Sequence, residues 1–544
     1  MGAVLSKYSE KSAAYVIVWI WFRLFQGSGM VKNLFLALMA FVFALTGCAT
    51  NPVTGKKELS FVGEDWELSV GKQQFAPSRQ SQGGDYVADP QVQAYVNKVG
   101  QRLAAVSDRN LPYEFKVLNS GVPNAWALPG GKIAINRGLL TKMKSESELA
   151  AVLGHEIVHA AAKHGAKGMT RGVLLQGGLL AATIASSGKK YSDLTQMGAS
   201  VGAQLINTRY GRDAERESDR FGIDYMVRAG YDPQGAVDLQ ATFLALSKDK
   251  ARGKDFISGL FASHPPSEER LATNRAIVAN MPKGGDTKVR EYRQNIARLL
   301  QSEPAYEAFE DAQKAIQEKD LARARSLTQR AISIEPREGH FHSLLGDLDN
   351  EQGNYASARR HYGKAIQLNN DFFYYHLQMG LVSEKARDFA SAERSLTRSL
   401  ELLPTANAYN ALGNIARANG RRDQAVAQYT KAAGHNSPAG QQALGSLVDL
   451  DLASNPGKYV VARHQVGSDG VLRVQLQNKT PRNINKVTLR IVYPDANGEM
   501  KDITRTIDGV LSAGKTETLE VARVNPGFAT NVQSGVVGAS VVTR

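Results

Sequence analysis

The sequence predicts a multidomain chain: a mostly helical α+β domain first, an α-solenoid in the middle and an all-β sandwich at the end. Three observations predict it. The first is the pattern His155-Glu156-Ile157-Val158-His159 inside an apolar helical run, with a second, acidic helix downstream. The second is a period of about 34 residues after Pro304, and the third a change to period two beyond Asn455-Pro456. At 544 residues the chain has material for three or four such units, each with its own core.

In chain order, an apolar run from Leu34 to Ala44 follows Met30-Val31-Lys32 and leads into Leu45-Thr46-Gly47-Cys48. That run is too short for a permanent membrane span. The Leu-Thr-Gly-Cys sequence resembles a bacterial lipobox, which implies cleavage before Cys48 and lipidation of its thiol. Ala49, rather than Asp, resembles the sorting pattern of Gram-negative lipoproteins held at the periplasmic face of the outer membrane. Residues 1–47 are therefore expected to be an over-extended start plus a signal peptide, with Met30 as the initiator. Cys48 is the only cysteine, so once lipidated the chain has no internal disulfide, and its fold must rest on core packing and metal. The net charge of +14 suits an anionic membrane surface or acidic partners. No nucleic-acid module accompanies it, so no nucleic acid is expected as a partner.

Ser145-Glu146-Ser147-Glu148 reads as the capped, acidic start of a helix through Leu149, Val152, Leu153, Ile157 and Val158. Residues four apart project from one helix face, so His155 and His159 can bind one cation. In this pattern the imidazoles hold Zn²⁺ and Glu156 takes a proton from the metal's water, which is hydrolase chemistry. Two core-facing histidines beside a solvated glutamate are the plain alternative. A close third histidine would need Gly at 162 and His at 165; Ala162 and Gly165 exclude that arrangement. Downstream, Arg212 to Met226 reads as a second helix, ending near Ala229-Gly230, on which Glu215 and Asp219 are again four apart.

The pairing of HEIVH with the later ERESD resembles the gluzincin metallopeptidases related to the CaaX prenyl proteases and the heat-shock membrane protease. The resemblance implies one Zn²⁺ per chain held by His155, His159 and Glu215, with Asp219 orienting a ligand histidine one turn on. Glu217 points away from Glu215 along the helix and is read as a surface charge. His164 is read as packing or hydrogen-bonding locally. Asn124-Ala125-Trp126-Ala127-Leu128 resembles the family's active-site edge strand, which implies a substrate held extended by β-augmentation; an ordinary hairpin is the alternative. Ser263-His264-Pro265-Pro266 resembles the family's His-Pro segment, so His264 is expected either to donate to the developing oxyanion or to bind zinc as a fourth ligand. The apolar, glycine-rich stretch from Gly172 to Ser187 is read as a buried or lid helix. This peptidase domain is expected over 48–290.

Leu345-Gly346, Met379-Gly380 and Leu412-Gly413 recur at intervals of 34 and 33 residues, the tetratricopeptide period. Small residues recur where paired helices must approach closely: Ala324 and Ala331, Ala358 and Ala365, Ala392, then Ala425 and Ala432. Tyr362 and Tyr429 are the matching aromatic knobs. The solenoid is expected over 291–445, its first repeat degenerate. From 455 to 544, Val471–Leu476, Val487–Tyr493, Ile503–Ile507 and Thr516–Val521 alternate, with turns at Asp495-Ala496-Asn497-Gly498 and Ser512-Ala513-Gly514-Lys515. An immunoglobulin-like sandwich without catalytic residues is expected there.

The order of peptidase then repeats is similar to periplasmic proteases that act on outer-membrane proteins. It implies a lipid-anchored zinc endopeptidase cutting misfolded or immature envelope polypeptides, with the repeats binding substrate or the outer-membrane assembly machinery. The alternative is a non-catalytic repeat scaffold or chaperone with a vestigial zinc site.

Overall fold

The computed structural model of the chain describes residues 48–59, 62–168, 210–248, 264–495, 497–524 and 530–542. The expected signal peptide and the stretch from Gly172 to Ser187 lie outside the described residues. The chain divides into two units: the described residues up to Phe75 with Ala94–Lys116 and Val122–Gln294, and Ala76–Gln93 with Val117–Gly121 and the chain from Asn295. A mixed α+β region, a repeat-like helical region and a C-terminal β-sandwich are all present.

A small antiparallel hairpin opens the described chain, β1 (Cys48–Thr50) with β2 (Lys57–Leu59). Helices α1 (Glu64–Ser81) and α2 (Pro90–Ala104) follow. Strands β3 (Glu114–Leu118), β4 (Ala125–Leu128) and β5 (Lys132–Asn136) then form one sheet in the order β3-β5-β4. Pro129-Gly130-Gly131 turns β4 into β5 with φ of +75° and +80° at the two glycines, a region other residues enter only with strain. Among the described residues β4 thus lies at a sheet edge.

A short helix α3 (Arg137–Leu140) leads to α4 (Glu146–Ala161), which carries the two histidines. Ser145 caps α4: its hydroxyl accepts from the Glu148 N–H at 3.1 Å, while a Glu148 carboxylate oxygen accepts from the Lys144 N–H at 3.2 Å. Every residue of α4 is buried, so the helix runs through the core rather than along the surface. The first-turn carboxylate of Glu146 is satisfied by the hydroxyls of Tyr95 at 2.7 Å and Tyr231 at 2.8 Å.

Burial pushes Glu148 up to about 7. Its folded value lies above its unfolded one, so its stabilising contribution is complete below about pH 4 and is lost as pH rises through about 7. We expect the unfolding free energy of the wild type, from urea titration read by tryptophan fluorescence, to fall between pH 5 and pH 8 by about 2–3 kcal/mol relative to Glu148→Gln. Equal pH dependence in the two proteins would contradict the assignment.

Against α4 pack α5 (Arg212–Arg228) and α6 (Gln234–Lys248), followed by α7 (Glu268–Ala279) and α8 (Val289–Asn295). The α4–α5 crossing runs through two glycines: a Cβ on Gly154 would stand 3.0 Å from the Gly222 carbonyl oxygen, and one on Gly222 3.0 Å from the His155 nitrogen. Only glycines allow the two backbones this close.

In the second unit four helix pairs follow one another: α9 (Ala297–Gln317) with α10 (Leu321–Ile334), α11 (Gly339–Glu351) with α12 (Tyr355–Leu368), α13 (Phe373–Lys385) with α14 (Phe389–Leu402), and α15 (Ala406–Ala418) with α16 (Arg422–Ala433). The periodic glycines each face a large side chain of the partner helix: Gly346 meets Tyr362, Gly380 meets Leu396 and Gly413 meets Tyr429. Ala324, Ala331, Ala358, Ala365, Ala392, Ala425 and Ala432 are fully buried where the helices close on each other. Helix α17 (Pro438–Asp451), capped by Ser437, and the short α18 (Pro456–Tyr459) end the helical part.

The sandwich comprises two three-stranded antiparallel sheets. One is ordered β10-β7-β6, from β6 (Val460–Val466), β7 (Val471–Asn478) and β10 (Thr516–Arg523). The other is ordered β11-β8-β9, from β8 (Ile484–Pro494), β9 (Met500–Leu511) and β11 (Gln533–Val541). Alternate residues Leu472, Val474 and Leu476 of one and Leu489 and Ile491 of the other share a core that reaches Tyr429 and Leu447 of the last helices.

Candidate metal centre

The α4–α5 crossing sets the site. On α5, Glu215, Asp219 and Gly222 follow at four and three residues and share the buried face. The crossing at Gly222 therefore presents both carboxylates to the histidines of α4. His155 Nε2 lies 3.0 Å from His159 Nε2, and Glu215 reaches them at 3.6 and 3.4 Å. His264, just before α7, adds its Nδ1 at 2.9 Å from Glu215 and 3.3 Å from His155. One ligand atom from each of His155, His159, Glu215 and His264 fits within 4.8 Å of the others, and all four residues are buried.

These residues fit a metal ion. Two or three imidazoles with one carboxylate match the donors zinc takes, and four buried polar groups converging on one point need a partner there. Burial holds the His159 imidazole far below its usual range, so it is neutral, as a ligand must be. Glu215 stays ionised: burial opposes this, but His264 and His159 hold its carboxyl well below the ordinary value.

Each ligand is turned by a second residue. His155 Nδ1 donates to Asp219 at 3.1 Å, which leaves Nε2 for the cluster. Asp219 is gripped by Arg270 of α7 through two hydrogen bonds of 2.8 and 2.6 Å, and the same guanidinium lies 2.9 Å from Glu215. Burial would raise the Asp219 carboxyl; Arg270 and His155 outweigh it and hold it down. His159 Nδ1 meets His164 Nδ1 at 3.0 Å, and His164 Nε2 donates to Glu217 at 3.3 Å. Glu217 in turn accepts from Asn51 Nδ2 at 2.8 Å.

Glu217 is therefore not the surface charge its place on the helix predicts. It points away from Glu215, as expected, but that side of α5 is covered by His164 and by Asn51 of the β1–β2 hairpin. His164 is more than a local packing residue, since it orients a histidine of the cluster. Arg270 carried no signal beyond its nearness to the His-Pro segment.

Glu156 follows His155 on α4 yet stays beside the cluster, with Oε1 3.6 Å from His264 Nε2. Its Oε2 is buried and has no hydrogen-bond partner among the described residues. Burial pushes its carboxyl up, giving a carboxylate with a raised affinity for a proton. A cavity of about 30 Å³ touches His155, Glu156 and His264, with Met226, Leu239 and Phe243 on its apolar side. It has room for a water. Strand β4, carrying Ala125 to Leu128, packs on α4 and is buried throughout; Asn124 precedes it, and its carbonyl accepts from Asn136 at 2.8 Å.

Residues 90–278 match Peptidase family M48, and residues 406–434 match the tetratricopeptide repeat. The likeness to an M48 peptidase domain extends over residues 90–278. It is similar to the β-barrel assembly-enhancing protease of Yersinia pestis, 26% identical over 444 residues, covering 75% of this chain and 89% of that protein. A putative protease of the same name from Vibrio cholerae is 30% identical over 40% of this chain and 45% of its own length. Metalloprotease YcaL of Escherichia coli is 28% identical, with 46% of this chain covering 99% of it. The M48 match contains His155, His159, Glu215 and His264, so the family's region and the buried donor cluster coincide.

Proposed function

We propose that this chain is a zinc-dependent endopeptidase of the HExxH gluzincin type, anchored by lipid at Cys48 to the periplasmic face of the outer membrane, that cuts misfolded or immature envelope polypeptides. The observation that carries the reading is the convergence of His155, His159, Glu215 and His264 within 4.8 Å beside the unpartnered carboxylate oxygen of Glu156. A structural metal site has no use for such a base. The names of the relatives support the envelope setting, and the leader sequence supports the anchor.

His155, His159 and Glu215 would hold the ion. When bound, it supplies a Lewis acid for the scissile carbonyl and makes a nearby water more acidic. Glu156 accepts the proton of that water as its oxygen bonds to the carbonyl carbon, then gives it to the amide nitrogen as the C–N bond breaks. Asp219 and Arg270 fix the His155 ring, and His164 with Glu217 fixes that of His159. His264 lies among these donors, 2.9 Å from Glu215 and 3.3 Å from His155, so it would be a fourth donor that closes the site and would have to withdraw for turnover. Strand β4, at a sheet edge beside α4, takes the substrate as an added strand through its backbone, which selects extended chain over side-chain identity. The repeats bind the substrate or the outer-membrane assembly machinery.

Purified protein is expected to contain one zinc per chain and to cleave casein, to lose cleavage on treatment with phenanthroline, and to regain it on adding zinc. In a competition with a chelator of known zinc affinity, His164→Ala is expected to bind zinc about 10–100-fold more weakly. Protein without stoichiometric metal, or cleavage indifferent to chelation, refutes the reading and leaves a repeat scaffold.

A further inference from the structure

The repeat domain contains a cavity of about 190 Å³ lined by the first helices of successive pairs, α9, α11 and α13. Its walls are aromatic. Phe309 and the His340 ring lie 6.4 Å apart at 25°, His340 and Phe372 lie 4.9 Å apart, and Tyr374 adds a further face. Aromatic faces are electron-rich and attract cations.

One carboxylate, that of Asp347, lines the same cavity. It accepts hydrogen bonds from Tyr362 at 2.7 Å and Tyr374 at 3.2 Å. Both donors are neutral, and among the described residues no ion pair is made to it. Burial accordingly pushes the Asp347 carboxyl up to about 6, the mark of an acid without a cation beside it. A third feature points the same way. Ser343 is 3% exposed, lines the cavity, and its hydroxyl has no hydrogen-bond partner among the described residues. A buried hydroxyl left unpaired is unfavourable, and a ligand donor would relieve it.

A negative charge, π-faces and an open acceptor together complement a cation on an aliphatic stem, and the volume suits one side chain rather than a helix. We propose that this cavity binds a lysine or arginine side chain of an extended polypeptide, with Asp347 facing the cation and the aromatic rings flanking its stem. The proposal does not depend on the peptidase reading, because none of these residues belongs to the metal centre.

The test uses the full chain with chelator present, so that nothing is cleaved, and fluorescein-labelled twelve-residue alanine-serine peptides differing at one central position. Fluorescence anisotropy is expected to show the lysine and arginine peptides binding at least about tenfold tighter than the norleucine peptide. Asp347→Asn is expected to abolish that preference with an unchanged melting curve, and Ser343→Ala to weaken it less. Norleucine binding as well as lysine, no binding by any peptide, or discrimination that survives Asp347→Asn would overturn the proposal. Comparing lysine with norleucine on the unaltered chain decides the matter even if Asp347→Asn does not fold.

Discussion

Glu156→Gln is expected to keep its zinc and to lose casein turnover by about 10²–10⁴-fold, the range for removal of a positioned base. Glutamine has the same shape as glutamate and still accepts hydrogen bonds, but it cannot take a proton from water. The carboxylate it replaces touches none of the cluster histidines closely enough to position them, its nearest being His264 at 3.6 Å. The four donors therefore stay in place. The variant should also melt no lower than the wild type, because a buried carboxylate with an unpartnered oxygen is costly and a neutral amide is less so. Zinc content, melting temperature and cleavage measured on one preparation separate the alternatives. Turnover near the wild-type level would remove Glu156 from the chemistry, and loss of zinc would make it a structural residue.

Gly222→Val is expected to weaken zinc binding at least about tenfold without touching any ligand. Even the valine Cβ would stand 3.0 Å from the His155 nitrogen and 3.2 Å from the Gly154 carbonyl carbon, and the branched methyl groups have less room still. Backbone cannot yield as a flexible side chain can, so α4 and α5 must part, at a cost of roughly 1–3 kcal/mol for overpacking. Glu215 and Asp219 ride on α5 and His155 sits next to Gly154, so the displacement passes straight into the distances between donors. Gly222→Ala should show a smaller change in the same direction. Chelator competition measures the affinity, and the visible spectrum of the cobalt-loaded protein reports the geometry independently of activity. Wild-type affinity and spectrum in Gly222→Val would show that the crossing does not set the centre.

Local rules made much of this legible. Residues four apart share a helix face whatever the tertiary structure, and so the convergence of His155 with His159, and of Glu215 with Asp219, could be read from spacing alone. The cap at Ser145 and the repeat glycines are likewise local or periodic. What spacing does not contain is which helices cross and where. Gly154 and Gly222 are 68 positions apart in the chain and carry no motif. The same gap hid what Arg270, which follows the His-Pro segment, does: its hold on Asp219 is made across 51 residues, and the link from Asn51 to Glu217 across 166.

In the sandwich, β6 and β11 went unread. The exposed Arg463-His464-Gln465 blurs alternation in β6. The register of β11 shifts between Val536 and Gly538 and again between Gly538 and Ser540, which breaks period two. In the middle repeat the knob against Gly380 is Leu396 rather than an aromatic, so only its position, and not its type, marks it.

The joints at Gly346, Gly380 and Gly413 are copies of one design, a missing side chain receiving a large one sixteen positions on. A length of protein assembled from interchangeable joints can be extended or shortened by a whole module, since each module needs only its immediate neighbours to be of the same kind. The metal centre has no such modularity. Its donors arrive from α4, α5 and the approach to α7, and none of the three stretches holds a working fraction of it. The two halves of the chain are therefore open to different kinds of evolutionary change: the reach of the repeats can vary by counting units, while the hydrolytic centre is inherited whole or lost.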